Sequence, residues 1–250
     1  MYFSSLLRWR KSRLVRAGYC FIQLIDDVLD GDRSINEDPG TYADCIIGEM
    51  LEERFSKKTD ASMLIGFVFN EAKQRPDFQA IKTNFIQLVS ILKDDYLRRI
   101  NHKTSSATEL TEHHRKTFQL SMDITLAFLD SKVTSSDCPE IVDSLVWCSV
   151  MRDLKEDLAA GIINIPKEVF ETPREKLTSN NIEAILKKEA VQTWIRKEFA
   201  TQTTNMRAIE PKLPHLKDNI GRQAIKIFWK SIQSYVPKYE KQNKELLSGR

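Results

Sequence analysis

The chain has 250 residues, with 38 Lys+Arg against 35 Asp+Glu, 41% hydrophobic residues, and 8 each of Gly and Pro. A mean hydropathy of −0.40, with no apolar run near the roughly 18–20 residues of a spanning helix, excludes a polytopic membrane protein. A net charge of +3 is too small to call for nucleic acid, and the low glycine content disfavours a turn-rich all-β fold, which leaves a mostly helical protein.

In chain order, Leu6, Leu7, Leu14, Tyr19, Phe21, Ile22 and Ile25 keep helical spacing from the start. The basic opening, Arg8, Arg10, Lys11, Arg13 and Arg16, therefore reads as the outer face of a first helix over 3–30 rather than as a transit peptide. Further helices are expected over 42–57, 61–74, 77–102, 107–131, 138–160, 180–208 and 217–238. The breaks between them fall at Gly31 to Gly40, Arg75-Pro76, Thr104 to Ser106, Ser135 to Asp137, Gly161 to Asn181, and Glu210 to Pro214. In the helix over 77–102, apolar residues at 78, 81, 85, 88 and 89 give the 3.6-residue period of an amphipathic helix, and no stretch sustains a period of two. Asp94-Asp95 with Arg98-Arg99 reads as an ion-paired helix face, with the rim of a cavity mouth as the second reading. Ile220, Ala224, Ile225, Ile227, Phe228 and Ile232, with Lys226, Lys230 and Lys238 around them, read as a core-facing stripe, with peripheral membrane contact as the second reading. Without repeats or a long linker, the expectation is one all-α helical domain over 1–238 and a flexible charged tail over 239–250.

Common chemical motifs are missing: there is no GxGxxG, no GxxxxGK[ST] and no HExxH. Cys20, Cys45, Cys138 and Cys148 form no CxxC pair, which points to a reducing compartment, and the adjacent His113 and His114 cannot chelate together. The acids say more. Asp26 and Asp30 are four residues apart, as are Asp153 and Asp157, so each pair stacks on one helix face about 6 Å apart along the axis. Apolar runs, Phe21 to Ile25 and Leu145 to Met151, lead directly into both pairs, so the carboxylates border a core. Partly desolvated like charges require cations, and ligands that are all oxygen suit Mg²⁺. Solvated acids at two helix ends are the plainer alternative.

Tyr19-Cys20-Phe21-Ile22-Gln23-Leu24-Ile25-Asp26-Asp27-Val28-Leu29-Asp30 resembles the first aspartate-rich motif of the squalene/phytoene synthase family. Arg152-Asp153-Leu154-Lys155-Glu156-Asp157, running through Gly161 to Pro166, is similar to its second motif, and Tyr2 to Leu7 is similar to its first helix. The resemblance implies an isoprenoid-synthase bundle with a central cavity. It implies Mg²⁺-dependent loss of diphosphate from an allylic prenyl diphosphate, farnesyl or geranylgeranyl, and coupling to a second prenyl chain. By the same resemblance Asp26, Asp30, Asp153 and Asp157 are metal ligands, Asp27 and Glu156 support them, Arg152 takes up the departing diphosphate, and Tyr19 lines the cavity. Gln23 stands in the substrate-binding position where the family commonly has Arg, and Ser149 stands where it has a metal-binding Asn. Ile162 and Asn164 replace its Arg and Tyr, and the segment His114 to Met122 replaces a Tyr-rich helix. The family's Ser-bearing segment has no counterpart before Met1, as expected of a truncated chain or a late start.

These departures keep two further readings open within the family: a single-substrate terpene synthase, and a non-catalytic assembly or interaction factor. An all-α magnesium-dependent nucleotide pyrophosphatase is the alternative from another class. The expected location is cytoplasmic and peripheral to a membrane, or mitochondrial for the non-catalytic relative.

Overall fold

The computed structural model describes residues 9–170 and 179–248, and every regular element among them is helical. In order these are α1 (Trp9–Asp30), α2 (Pro39–Glu52), α3 (Asp60–Ala72), α4 (Phe78–Ile100), α5 (Ala107–Phe128), α6 (Pro139–Ala160), α7 (Ser179–Leu186), α8 (Glu189–Lys212) and α9 (Asn219–Ser248). Single 3₁₀ turns lie at Ser135–Asp137 and Leu213–His215. The protein is all-α, as its periodicity requires. The opening motif Tyr2 to Leu7 lies outside the described residues. Contacts divide the chain into two units, Met1–Leu97 with Leu120–Lys132, and Arg98–Gln119 with Val133–Arg250.

In the first unit α1 packs mainly on α3 and turns Leu14, Phe21, Ile25, Val28 and Leu29 inward. Phe85 of α4 is fully buried at the centre of a ring cluster. Its ring centroid lies 5.7 Å from Phe21, 6.3 Å from Phe69 and 6.1 Å from Phe128. Gly18 admits these rings against α1, because a Cβ there would sit 3.1 Å from Phe128 and 3.2 Å from Phe85. Arg75 ties the α3–α4 corner to the end of α5. Its guanidinium donates to Asp77 at 2.8 and 2.9 Å, to Asp130 at 2.6 Å and to the Ala127 carbonyl at 2.6 Å.

The second unit buries Trp147, Met151, Leu154 and Leu158 of α6 against Val191 and Ile195 of α8 and Ile182, Ile185 and Leu186 of α7. Trp147, Phe199 and Tyr239 form an aromatic trio at centroid distances of 4.7, 5.7 and 5.9 Å, which brings α8 and α9 onto α6.

Several boundaries differ from expectation for local reasons. Pro39 begins α2 instead of interrupting the chain: it occupies the first helical position, where no N–H is needed, and Asp38 caps Thr41 N at 2.8 Å. The helix expected over 180–208 breaks at residues 187–188, where Gln192 of α8 donates its side chain to the Leu186 carbonyl that ends α7. α8 continues through Pro211 to Lys212. α9 runs past Pro237 as far as Ser248, and Tyr239 within it is buried. The α9 stripe faces the core through Ala224, Ile225 and Ile232, while Ile227 is 66% exposed.

Phe85→Ala is expected to cost about 3–5 kcal/mol in urea unfolding; a loss below about 1 kcal/mol would mean that the rings repack. Gly18→Ala is also expected to destabilise, since packed rings oppose the roughly 1 kcal/mol gain in helix propensity.

Candidate functional site

Both acid pairs lie toward the C-terminal ends of helices that bury an apolar face beside them. In α1, Ile25, Val28 and Leu29 are at most 2% exposed, and Asp26 is held half-buried between Ile25 and Val28 in sequence. Asp30 is the last residue of α1, and Gly31 closes the turn with a φ of 86°, a conformation that costs glycine little. No basic residue lies in the last turn of α1, so the partial negative charge of the helix end adds to the carboxylates. Burial, then the charges of Asp30, Asp27, Asp95 and Asp32, pushes the Asp26 carboxyl up to about 7. Asp32 is not among the candidate residues of the sequence, and Asp95 stands there only as part of a helix face or cavity rim; its charge reaches Asp26 from α4, which no local spacing announces.

Along the exposed side of α1, Tyr19, Gln23 and Asp27 are linked four residues apart. The Tyr19 hydroxyl donates to Gln23 Oε1 at 3.3 Å, and Gln23 Nε2 donates to Asp27 Oδ1 at 2.8 Å. Gln23 is thus engaged within its own helix. Tyr19, expected to line a cavity, is 67% exposed.

The second pair has a different electrostatic setting. Arg152 Nε and Nη2 donate to Asp153 Oδ1 and Oδ2 at 2.7 and 2.5 Å, a fork between adjacent residues. The side chains are 59% and 37% exposed, and an ion pair in that setting is worth roughly 1 kcal/mol or less, so exchange of partners is cheap. Asp157, one turn on, is half-buried and accepts from Asn164 Nδ2 at 2.8 Å, while Arg98 Nη2 approaches Asn164 Oδ1 at 3.4 Å. Gly161, with a φ of 86°, ends α6 and starts the bend that brings Asn164 back to Asp157. Asn164 entered the sequence reading only as a departure from a family pattern; in the fold it orients an aspartate. Glu156 is exposed. Nearby, the buried Tyr235 hydroxyl has no hydrogen-bond partner among the described residues, and desolvation pushes the Cys148 thiol up to about 12, which makes it an inert thiol near neutral pH.

Within either unit, among the described residues, no group of three or more His, Cys, Asp or Glu side chains is placed to hold a metal ion. The chemistry of the two acid pairs fits a hard cation held by one or two carboxylates, with water and phosphate oxygens completing its shell, as is usual for Mg²⁺. No helix among the described residues is long and apolar enough to cross a membrane. No family model matches the sequence, and no curated protein matches it either.

The Asp26 shift carries a stability consequence. Its folded pKa, about 7, lies above the usual 3.8, so the folded state holds the extra proton between those values. Stability from this group is present at low pH and is lost as pH rises through that window. In metal-free urea titrations, Asp26→Asn is expected to stabilise the protein relative to wild type at pH 8 but little at pH 4; an equal effect at both would refute the crowding of charge.

Proposed function

We propose that this protein is a Mg²⁺-dependent prenyl-diphosphate enzyme that ionises an allylic prenyl diphosphate and couples it to a second prenyl chain. The carrying observation is the cluster around Asp26: half-buried beside an apolar face, with four neighbouring acids raising its pKa, it favours a bound cation. Asp26 and Asp30, and Asp153 and Asp157, would hold Mg²⁺, which when bound supplies positive charge to a leaving diphosphate. Asp27 and Glu156 add negative potential beside those ligands.

The remaining chemistry falls to the chain's own groups. Breaking an allylic C–O bond puts charge on the departing oxygen, and donors fixed in advance lower that barrier most. Arg152 carries a planar fork that suits phosphate oxygens, and its weak pairing with Asp153 can be exchanged for such a contact. Asn164 keeps the Asp157 carboxylate oriented while its neighbours change charge. The apolar residues flanking both pairs limit water that would quench a carbocation.

A single-substrate conversion is the second reading, supported by Gln23. Its amide is spent on Tyr19 and Asp27, and it offers no positive charge for a second diphosphate.

Diphosphate release from farnesyl and geranylgeranyl diphosphate, measured with Mg²⁺ and with EDTA, tests the proposal. Release only with Mg²⁺ is expected, and the carbon number of the lipid product separates coupling from single-substrate conversion. Asp26→Ala and Asp153→Ala should each abolish release while the helical circular dichroism is kept. Wild-type turnover in either variant would remove the metal-ligand assignment, and no release from the folded wild type would favour a non-catalytic role.

A further inference from the structure

The second unit contains a cavity of about 290 Å³ lined from α5, α6 and α8, together with Asn164 and Pro166. Val146, Val150 and Met151 make part of its lining apolar. The α8 contribution is different in kind. Trp194, Glu198, Gln202 and Asn205 fall at i, i+4, i+8 and i+11, so one helical face presents an indole, a carboxylate and two amides.

The polar groups are not equally satisfied. Arg115 binds Asp143 through two bonds of 2.6 and 2.7 Å, so that pair adds no net charge to the lining. Asn205 donates to Gln202 at 3.0 Å. Glu198 has no hydrogen-bond or ion-pair partner among the described residues, and it is half-buried. Its pKa is raised by burial, with the Lys197 charge opposing. His114 also lines the cavity, and among the described residues Glu198 is the lining carboxylate that no side chain pairs, beside an aromatic face. An isoprenoid tail would strip water from Glu198 without replacing its hydrogen bonds, and an anion would be repelled. A cation bearing a small hydrocarbon body satisfies both halves of the lining at once.

We infer that this cavity binds a small organic ammonium ion, its charge between the Glu198 carboxylate and the Trp194 ring and its alkyl groups against Val146, Val150 and Met151. Cation–π attraction and charge pairing both strengthen as water is excluded, and both fail for a neutral molecule of the same shape. This site uses neither aspartate pair, so it stands whether or not the protein releases diphosphate.

Choline and 3,3-dimethylbutanol differ in this respect only by charge and make a matched pair of probes. Calorimetric titration of the full chain, in phosphate buffer with EDTA at about pH 8 to keep Glu198 ionised, reads both affinities. Choline is expected to bind at least about ten-fold more tightly than the neutral alcohol. Glu198→Gln should erase that preference, and Trp194→Leu should weaken choline selectively, with melting temperatures showing that both variants fold. Equal binding of the two probes would reveal a merely apolar cavity and overturn the inference. So would an absence of choline binding up to about 10 mM, or a preference that survives Glu198→Gln.

Discussion

Asp26 follows Ile25 in a helix whose next turn buries Val28 and Leu29, and rotating α1 to wet the carboxylate would expose that apolar face. The comparison of magnitudes is one-sided. Each large apolar side chain contributes about 1.5–3 kcal/mol when buried, and Phe21, Ile25, Val28 and Leu29 act together. A shift of a carboxyl from 3.8 to about 7 costs on the order of a few kcal/mol at neutral pH. Packing wins, and the acid stays where it is uncomfortable. The helix end, lacking a basic residue, does nothing to relieve it. A group held in this way is available to a cation, and that availability underlies the functional proposal.

The second acid pair shows the same placement with the strain removed. Arg152 neutralises Asp153 at the surface of α6, and Asn164 gives Asp157 a neutral donor. One acid site therefore stores unfavourable charge, while the other is already partnered. The partnered site keeps an arginine whose bonds to Asp153 can be exchanged for another acceptor. The exposed fork between Arg152 and Asp153 makes that exchange inexpensive, whereas a buried pair would resist it.

In the second unit the aromatic trio of Trp147, Phe199 and Tyr239 fixes how α8 lies on α6. That packing leaves Trp194 and Glu198, one turn apart on α8, lining the cavity beside Val146 and Val150 of α6. The aromatic and acidic part of that lining is the i, i+4 face of α8, and packing on α6 sets Val146 and Val150 opposite it.

The amino-acid sequence by itself determined the helical class, the stacking of Asp26 on Asp30 and of Asp153 on Asp157, and the adjacency of each pair to a core. Those properties follow from the 3.6-residue period, which is local. Helix ends were less legible, because Pro39 starts a helix when Asp38 caps it, and Pro237 is carried inside one when Tyr239 is buried beyond it. Only the tertiary structure decided that the Asp95 charge reaches Asp26, that Asn164 holds Asp157, that Gln23 is spent within its own helix, and that Glu198 faces a cavity with no hydrogen-bond or ion-pair partner among the described residues. Hydrogen-bond partners and electric fields depend on distances between side chains, and packing brings together residues that chain order keeps far apart.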